Sequence, residues 1–429
     1  MAIGGGLSTA RSGLINSNAA LGVIGNNIAN VSTIGFKGSR TEFEDLISAS
    51  AGGQIGKIGL GSKIGAVRTI FTQGAVESTG RALDLAIDGQ GFFVLREGLQ
   101  GQAYTRAGNF QLTADGLITN TVGDVLQGTP VNPDGTIAGG VGDVSVQGLT
   151  GQAKATQNAT LVGNLKADDT VNPAPFDGTS FQSAFSTSNF PYTIKVYDSR
   201  GGAHDLSIFF KKTSTANQWQ VFMGVDKFDE TGVAADKGKL DIVNGAGDTL
   251  TFGTDGSLAS ETAMQATISF NGAAPGQVIK LNVGTIGKAD GLGQFANDSG
   301  LSFVSQDGFS AGGLVSLTVD AKGFLTATFD NGQTRALFQL AIAQFKAPEG
   351  LDPAGNGVYR QSIDSGPPAI ATAGSQGNGT IASSALEQSN VEIAQEFINL
   401  ITQQRAFQAN ARVITASDQL LNDLINIVR

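Results

Sequence analysis

Apolar side chains at steps of four and three mark both ends of this chain and nothing between them. Near the start the positions are Ile3, Leu7, Ala10, Leu14, Ser17, Leu21, Ile24, Ile28 and Val31. Near the end they are Ile393, Phe397, Leu400, Gln404, Phe407, Ala411, Ile414, Asp418, Leu421, Ile425 and Val428. A sustained 4-3 repeat is the seam of a helix that packs along other long helices. Helices at both ends, with different material between, predict a chain that runs out and returns, its ends together and its middle projecting. A lone 4-3 stripe can equally be one face of a helix in its own core. Here both ends carry it, the second persists for five heptads, and no other helical pattern is present for them to pack on. One helix pair buries only one side of each seam, which does not offset the backbone entropy of ordering so many residues. The seams are therefore expected to order against further copies of the same chain, an arrangement for assembly rather than catalysis.

The second helix has the clearer limits. Ser389-Asn390-Val391-Glu392 fits a capping box, the serine holding a backbone amide while the glutamate reaches back. From Asn390 to Val428 neither proline nor glycine occurs, giving a rod of roughly 58 Å at ~1.5 Å per residue. The first helix is expected from Leu7 to Asn30. Gly13, Gly22 and Gly25 each weaken it by ~1 kcal/mol relative to alanine, although small residues also let helices approach closely.

The 429 residues suffice for two to four domains. Sixty glycines against ten prolines indicate many tight turns rather than a disordered linker. A net charge of -10 argues against nucleic acid or an anionic membrane as partner. Without cysteine there is neither a disulfide framework nor a thiolate metal site. The start lacks a basic segment followed by an apolar one, so no cleavable signal peptide is expected. Asn16, Asn18, Asn26, Asn27 and Asn30 interrupt the apolar residues of the first helix, which is amphipathic and not membrane-inserted.

Between the helices the pattern is β. Residues 39–70 carry many glycines and read as an irregular connector. Alternation at Leu83–Asp88, Phe92–Leu95, Tyr104–Thr113 and Leu117–Thr119 predicts strands, with a hairpin turn at Gly89-Gln90-Gly91 and another at Asp115-Gly116. Further strands are expected at Tyr192–Tyr197, Leu206–Phe210, Trp219–Val225 and Ala266–Phe270. The same holds for Val315–Val319, Leu325–Phe329 and Phe338–Phe345, with turns at Lys322-Gly323 and Asn331-Gly332. The expected class is α+β: long terminal helices forming a coiled coil, connected to two mainly-β domains, the outer inserted in the inner. Residues 1–32 with 385–429 would be the helical domain and 33–70 with 350–384 an extended connector. Residues 71–150 with 310–349 would be the inner β domain, and 151–309 the inserted outer one.

No catalytic, cofactor or metal site is expected. Gly89-Gln90-Gly91 lies between strands, not before a helix, and Gly59-Leu60-Gly61-Ser62-Lys63 lacks phosphate-loop spacing. His204 has no second histidine or clustered carboxylate in the sequence around it. Asp84 and Asp88 share one face of a strand, near enough for paired-carboxylate chemistry on spacing alone, but solvent-facing or turn-bonding aspartates are the reading preferred. Asn-x-Ser/Thr triplets at Asn158, Asn297 and Asn378 are uninformative without a glycosylating compartment.

Several segments resemble the rod and hook axial proteins of the bacterial flagellum. Asn26, Asn27, Asn30, Gly35, Phe36 and Lys37 stand in Asn26–Lys37, similar to that group's N-terminal motif, with Ile34 where proline is commoner. Asp88, Gly89, Gly91, Phe92 and Phe93 in Leu83–Phe93 resemble its β-domain motifs, as do Gly108, Asn109 and Phe110 in Tyr104–Phe110. Asn390, Gln404 and Arg405 in Ala385–Asn410 resemble its C-terminal helix. Residues 151–309 carry no matching motif, and a rod member would be shorter and lack this insert. The resemblance implies a helical tube of many copies with the terminal helices innermost, flexible in a hook member and rigid in a distal rod member. Its implied neighbours are the distal rod protein, the hook cap, the hook–filament junction protein and the flagellar type III export machinery, and the implied location is extracellular. A secreted adhesin or enzyme carried on such ends is the alternative from another class.

Overall fold

Residues 2–47, 59–98 and 101–427 are described by the computed structural model. The first seam becomes helix α1 (Ala2–Ala29), which starts five residues before the expected Leu7. Its 4-3 pattern includes Ile3, and Gly4 to Gly6 are absorbed without a break. The second seam becomes the 35-residue helix Ile393–Ile427. Its start corrects the expected capping box. The Ser389 hydroxyl accepts from the Val391 amide in a local turn (3.3 Å), and the Glu392 carbonyl takes the first helical bond, from Glu396.

The stretch 39–70, expected to be irregular, contains two long antiparallel strands, β1 (Ser39–Ile47) and β2 (Gly59–Thr69), in register Ser39↔Thr69 to Ile47↔Gly59. Its alternation is one of charge rather than apolarity: Arg68 pairs with Glu42 and Lys63 with Glu44 across the strands. Glycine here serves close approach. A Cβ at Gly61 would lie within van der Waals overlap of the Ser12 hydroxyl on α1. Gly52, Gly53 and Gly56 fall outside the described residues.

The chain divides into two compact units, one of residues 1–148, 315–328 and 334–429, the other of 149–314 and 329–333. In the first, short strands β3 (Val76–Ser78) and β4 (Leu85–Asp88) precede β5 (Phe92–Glu97) and β6 (Gly101–Thr105). β5 and β6 sit in a large sheet with strands Val125–Pro130, Thr334–Gln344 and Val358–Arg360. Phe92, Val94, Tyr104, Ala341, Ala343 and Phe345 form one of its cores, its rings meeting edge to face. Residues 350–384, expected to be a connector, are woven into this unit. Val358–Arg360 pairs with β6, Ala369–Thr372 with Thr334–Gln344, and Thr380–Ser383 with β4. Gly89-Gln90-Gly91 is not a hairpin turn, because β4 and β5 pair with different partners; it is a corner with φ near +113° and +121° at the glycines.

The second unit has two sheets. One runs Phe190–Tyr197, Ala203–Lys212, Gln218–Asp226, Asp248–Phe252 and Leu258–Glu261, all antiparallel. The other centres on Asn158–Lys166, flanked by Gln277–Asn282, Leu292–Phe295 and Gly300–Gln306. Leu161, Leu206, Ile208, Phe210, Trp219, Met223 and Ile279 are fully buried in one cluster. Two short helices, α2 (Phe181–Thr187) and α3 (Lys227–Thr231), lie in the same unit. With the long helix now α4 (Ile393–Ile427), the described chain is mostly β with few helices.

Candidate assembly surface

α1 and α4 pack on each other, and only part of each 4-3 seam is covered. On α1 the buried positions are Ala10, Asn16, Ser17, Ala20, Ile24 and Asn27. Gly13 lies among them; a Cβ there would come within 2.5 Å of the Asn410 amide. On α4 the half-buried positions include Glu396, Asn399, Gln403, Ala406 and Asn410. Small and polar residues such as Gly13 and Asn410 let the helices approach closely, while Asn16 and Asn27 also hold β2 and β1 through Ser62 and Ser39.

The seam positions divide: Ala10 and Ser17 are buried. Ile24 is buried, while Leu7, Leu14, Leu21, Ile28 and Val31 are half-buried. On α4, Leu400, Ala411 and Ile414 are half-buried, whereas Ile393, Phe397 and Phe407 are exposed. Phe397 keeps 49% of its surface in water, and Ile398 and Ile401, which the 4-3 pattern did not include, keep 58% and 47%. At ~100° per residue the apolar stripe is rotated by roughly a quarter turn from the face covered by α1. Leu421, Ile425 and Val428 fall outside the described side chains.

The motif residues converge on a buried junction at the base of the helices. The Lys37 ammonium donates to the Thr72 carbonyl (2.8 Å) and to Glu387 Oε1 (2.5 Å). Gly74 N–H donates to the same oxygen (2.9 Å), and Arg106 reaches Glu387 Oε2 (3.3 Å) and the Gly89 carbonyl (2.9 Å). Lys37, Arg106 and Glu387 are all at most 3% exposed. Burial pulls the Lys37 ammonium below its ordinary pKa against the opposing pull of Glu387. The Arg106 guanidinium lies 5.3 Å over the Phe92 ring. Asn390 Oδ1 accepts from Gly38 N–H (2.8 Å) while its Nδ2 donates to Ile70 O (2.7 Å). Asn27 likewise clamps Ser39 through both backbone groups.

Other motif residues serve the same closure. Gly35, at φ +67°, presses on Ala107, and its N–H donates to the Glu387 carbonyl (2.8 Å). A Cβ at Gly108 would overlap the Leu85 carbonyl, which Gly108 O holds in turn by accepting the Leu85 N–H (2.9 Å). Phe93 and Phe110 meet edge to face at 5.3 Å, fully buried. Asn109 bridges to Asp84, the Phe36 carbonyl accepts from Asn390 N–H, and Asn30 bonds back to Asn26. Gln404 and Arg405 stand apart from this junction, exposed on α4. Arg106 and Glu387 lie inside the quoted motif segments, but nothing local marks them as a charge cluster; their pairing is tertiary.

Two expectations about charge are corrected. Asp84 is buried and Asp88 exposed, so they form no carboxylate pair; Asp88 accepts from Gln73 (3.1 Å). His204 is not remote from carboxylates. It lies between Asp198 (Nε2 to Oδ2, 3.3 Å) and Asp229 of α3 (Nδ1 to Oδ2, 3.1 Å), stacked on Phe270. Burial pushes the Asp198 carboxyl up, but hydrogen bonds from Gly202 and His204 hold it below its ordinary range. Among the described residues no group of acidic and histidine side chains is arranged to hold a metal ion, and no helix is long and apolar enough to cross a membrane.

Four family models match in sequence. Residues 7–37 match the flagella basal body rod protein model, and 86–155 the flagellar hook protein FlgE/F/G D1 domain. Residues 164–309, where no motif was visible, match the flagellar basal body protein FlaE D2 domain, and 382–427 the flagellar basal body rod FlgEFG C-terminal model. The chain is 34% identical to the flagellar hook protein FlgE of Escherichia coli, over 98% of this chain and 99% of that one. It is 33% identical to the FlgE of Borreliella burgdorferi, over 97% and 98%. A crystal structure of a Helicobacter pylori flagellar hook protein, 14% identical, superposes with a TM-score of 0.48 over 73% of this chain and 100% of that one.

Proposed function

Because the chain belongs to the flagellar hook protein family and is a structural subunit of the hook, we propose that it polymerises through its terminal helices into a flexible helical tube. The observation that carries this is the apolar stripe of α4. Ile393, Phe397, Ile398, Ile401 and Phe407 are exposed on a helix whose other side is already occupied. Contiguous exposed apolar surface of this kind marks a protein contact. In this reading the helices form an inner coiled-coil layer around a central channel. The β units project outward, their contacts able to slide as the tube bends. The tube is a universal joint that links the basal-body rod to the filament and transmits motor torque.

The family is structural and not enzymatic, and its members are components of the hook and basal body. The finer partners are proposals: the distal rod protein below, the hook–filament junction protein above, and the hook cap during growth. Delivery is proposed to be through the flagellar type III export machinery to the cell exterior.

Phe397→Asp combined with Ile401→Asp tests the reading in the full chain. Both side chains are exposed, so stability should change by less than about 0.5 kcal/mol each. Circular dichroism should match the parent, while electron microscopy and sedimentation should show monomers only. Tubes of normal appearance from this variant would overturn the proposal.

A further inference from the structure

The covered side of α4 holds an unsatisfied carboxylate. Glu396 Oε1 receives one long hydrogen bond, from Asn27 Nδ2 at 3.4 Å, and Oε2 is buried with no partner. The buried Thr41 hydroxyl also lacks one. Both residues line a cavity of about 410 Å³ bounded by α1, β1 and α4. A carboxylate oxygen held from water without a donor is unfavourable, and a guanidinium supplies the missing donors in a fork. Arg40 borders the cavity but is bound by Glu42 at 3.0 Å.

Arg405 and Arg412 stand one heptad apart on α4, both exposed and without an ion pair among the described residues. Nine residues separate Glu396 from Arg405, which at ~100° each is two and a half turns and places them on opposite faces of the helix. They cannot meet within one copy. Between two copies they can, and a contact that uses opposite faces of one element is heterologous, generating an open array instead of a closed dimer.

We propose that Arg405 of one copy enters this cavity on the next copy and pairs with Glu396, setting the direction and register in which subunits add. The proposal rests on the polymer reading above. Charge reversal in the full chain tests it. E396R or R405E alone should raise the protein concentration needed for polymerisation about tenfold or more, and E396R/R405E should restore most of the loss. Circular dichroism checks that each variant folds. Single variants that polymerise normally, or a double variant no better than the singles, would overturn the pairing. Rescue of E396R by R412E or R11E instead would overturn the assignment to Arg405.

The cysteine-free sequence allows a second readout. Polymers of E396C/R405C treated with a short bis-maleimide linker, whose two C=C bonds each add one thiol, should yield a ladder of covalent multimers, and monomers alone would count against the pairing. The Phe397→Asp, Ile401→Asp variant separates the two ideas. If it polymerises, the polymer reading itself fails; if it does not while the charge swap has no effect, only the Arg405–Glu396 pairing fails.

Discussion

The junction of Lys37, Glu387 and Arg106 places two cations around one carboxylate away from water, so its members are not equivalent. Glu387→Gln keeps the shape but leaves both cations without a counter-charge, and should destabilise the unit by ~3–5 kcal/mol. Lys37→Met leaves Glu387 still paired with Arg106 and replaces the stem by an apolar one, so the loss should be clearly smaller. Denaturant midpoints rank the two, and an equal loss would contradict this account. Asp307 in the other unit supports a pH prediction. Burial raises its carboxyl, but the amides of Asn158 and Gln157, with Lys154, bring it from the ordinary 3.8 down to about 2. A carboxylate lowered in the folded state stabilises it above the unfolded pKa, and that contribution disappears as pH falls through the folded one. Asp307→Asn should therefore be less stable than the parent above pH 4, with the gap closing as the pH approaches 2. Thermal melts at stepped pH would show it.

At the level of elements, the sequence was legible wherever apolar alternation carried the signal. Tyr192–Tyr197 and Trp219–Val225 lie inside strands Phe190–Tyr197 and Gln218–Asp226, and the turn at Asn331-Gly332 joins paired strands. It was not legible where alternation was carried by charge, as in β1 and β2, or where pairing is tertiary, as in Asp198–His204–Asp229 and Lys37–Glu387–Arg106. The helices themselves were clear, but not the face they share. A 4-3 apolar pattern names the best buried stripe, whereas the covered sides also take in Gly13, Ala20, Gln403 and Asn410, which lie off that pattern. Gly61 offers a test at this scale. Its φ is +96°, and a Cβ would meet both the Ser12 side chain and the Thr9 backbone of α1. Gly61→Val should lift β2 from the helix at about 1–3 kcal/mol, seen as faster hydrogen exchange across Ser39–Ile47 and Gly59–Thr69. Unchanged protection would show that the close approach is not required.

For the molecule as a whole, each unit has its own buried core, and only one contains tryptophan. Trp219 is fully buried in residues 149–314, while the long helices α1 and α4 belong to the other unit. Tryptophan fluorescence therefore reports one unit, and most of the helical signal near 222 nm reports the other. Units with separate cores are expected to unfold in separate transitions, so no single midpoint describes the chain. The residue-scale variants then become addresses. Asp307→Asn should shift the Trp219 transition at neutral pH and leave the helical one in place. Glu387→Gln should do the reverse. Under the proposed polymer reading, a subunit built this way would let the unit of residues 149–314 deform or open without loosening the terminal helices. If either variant moved both transitions together, the two units would be one cooperative body.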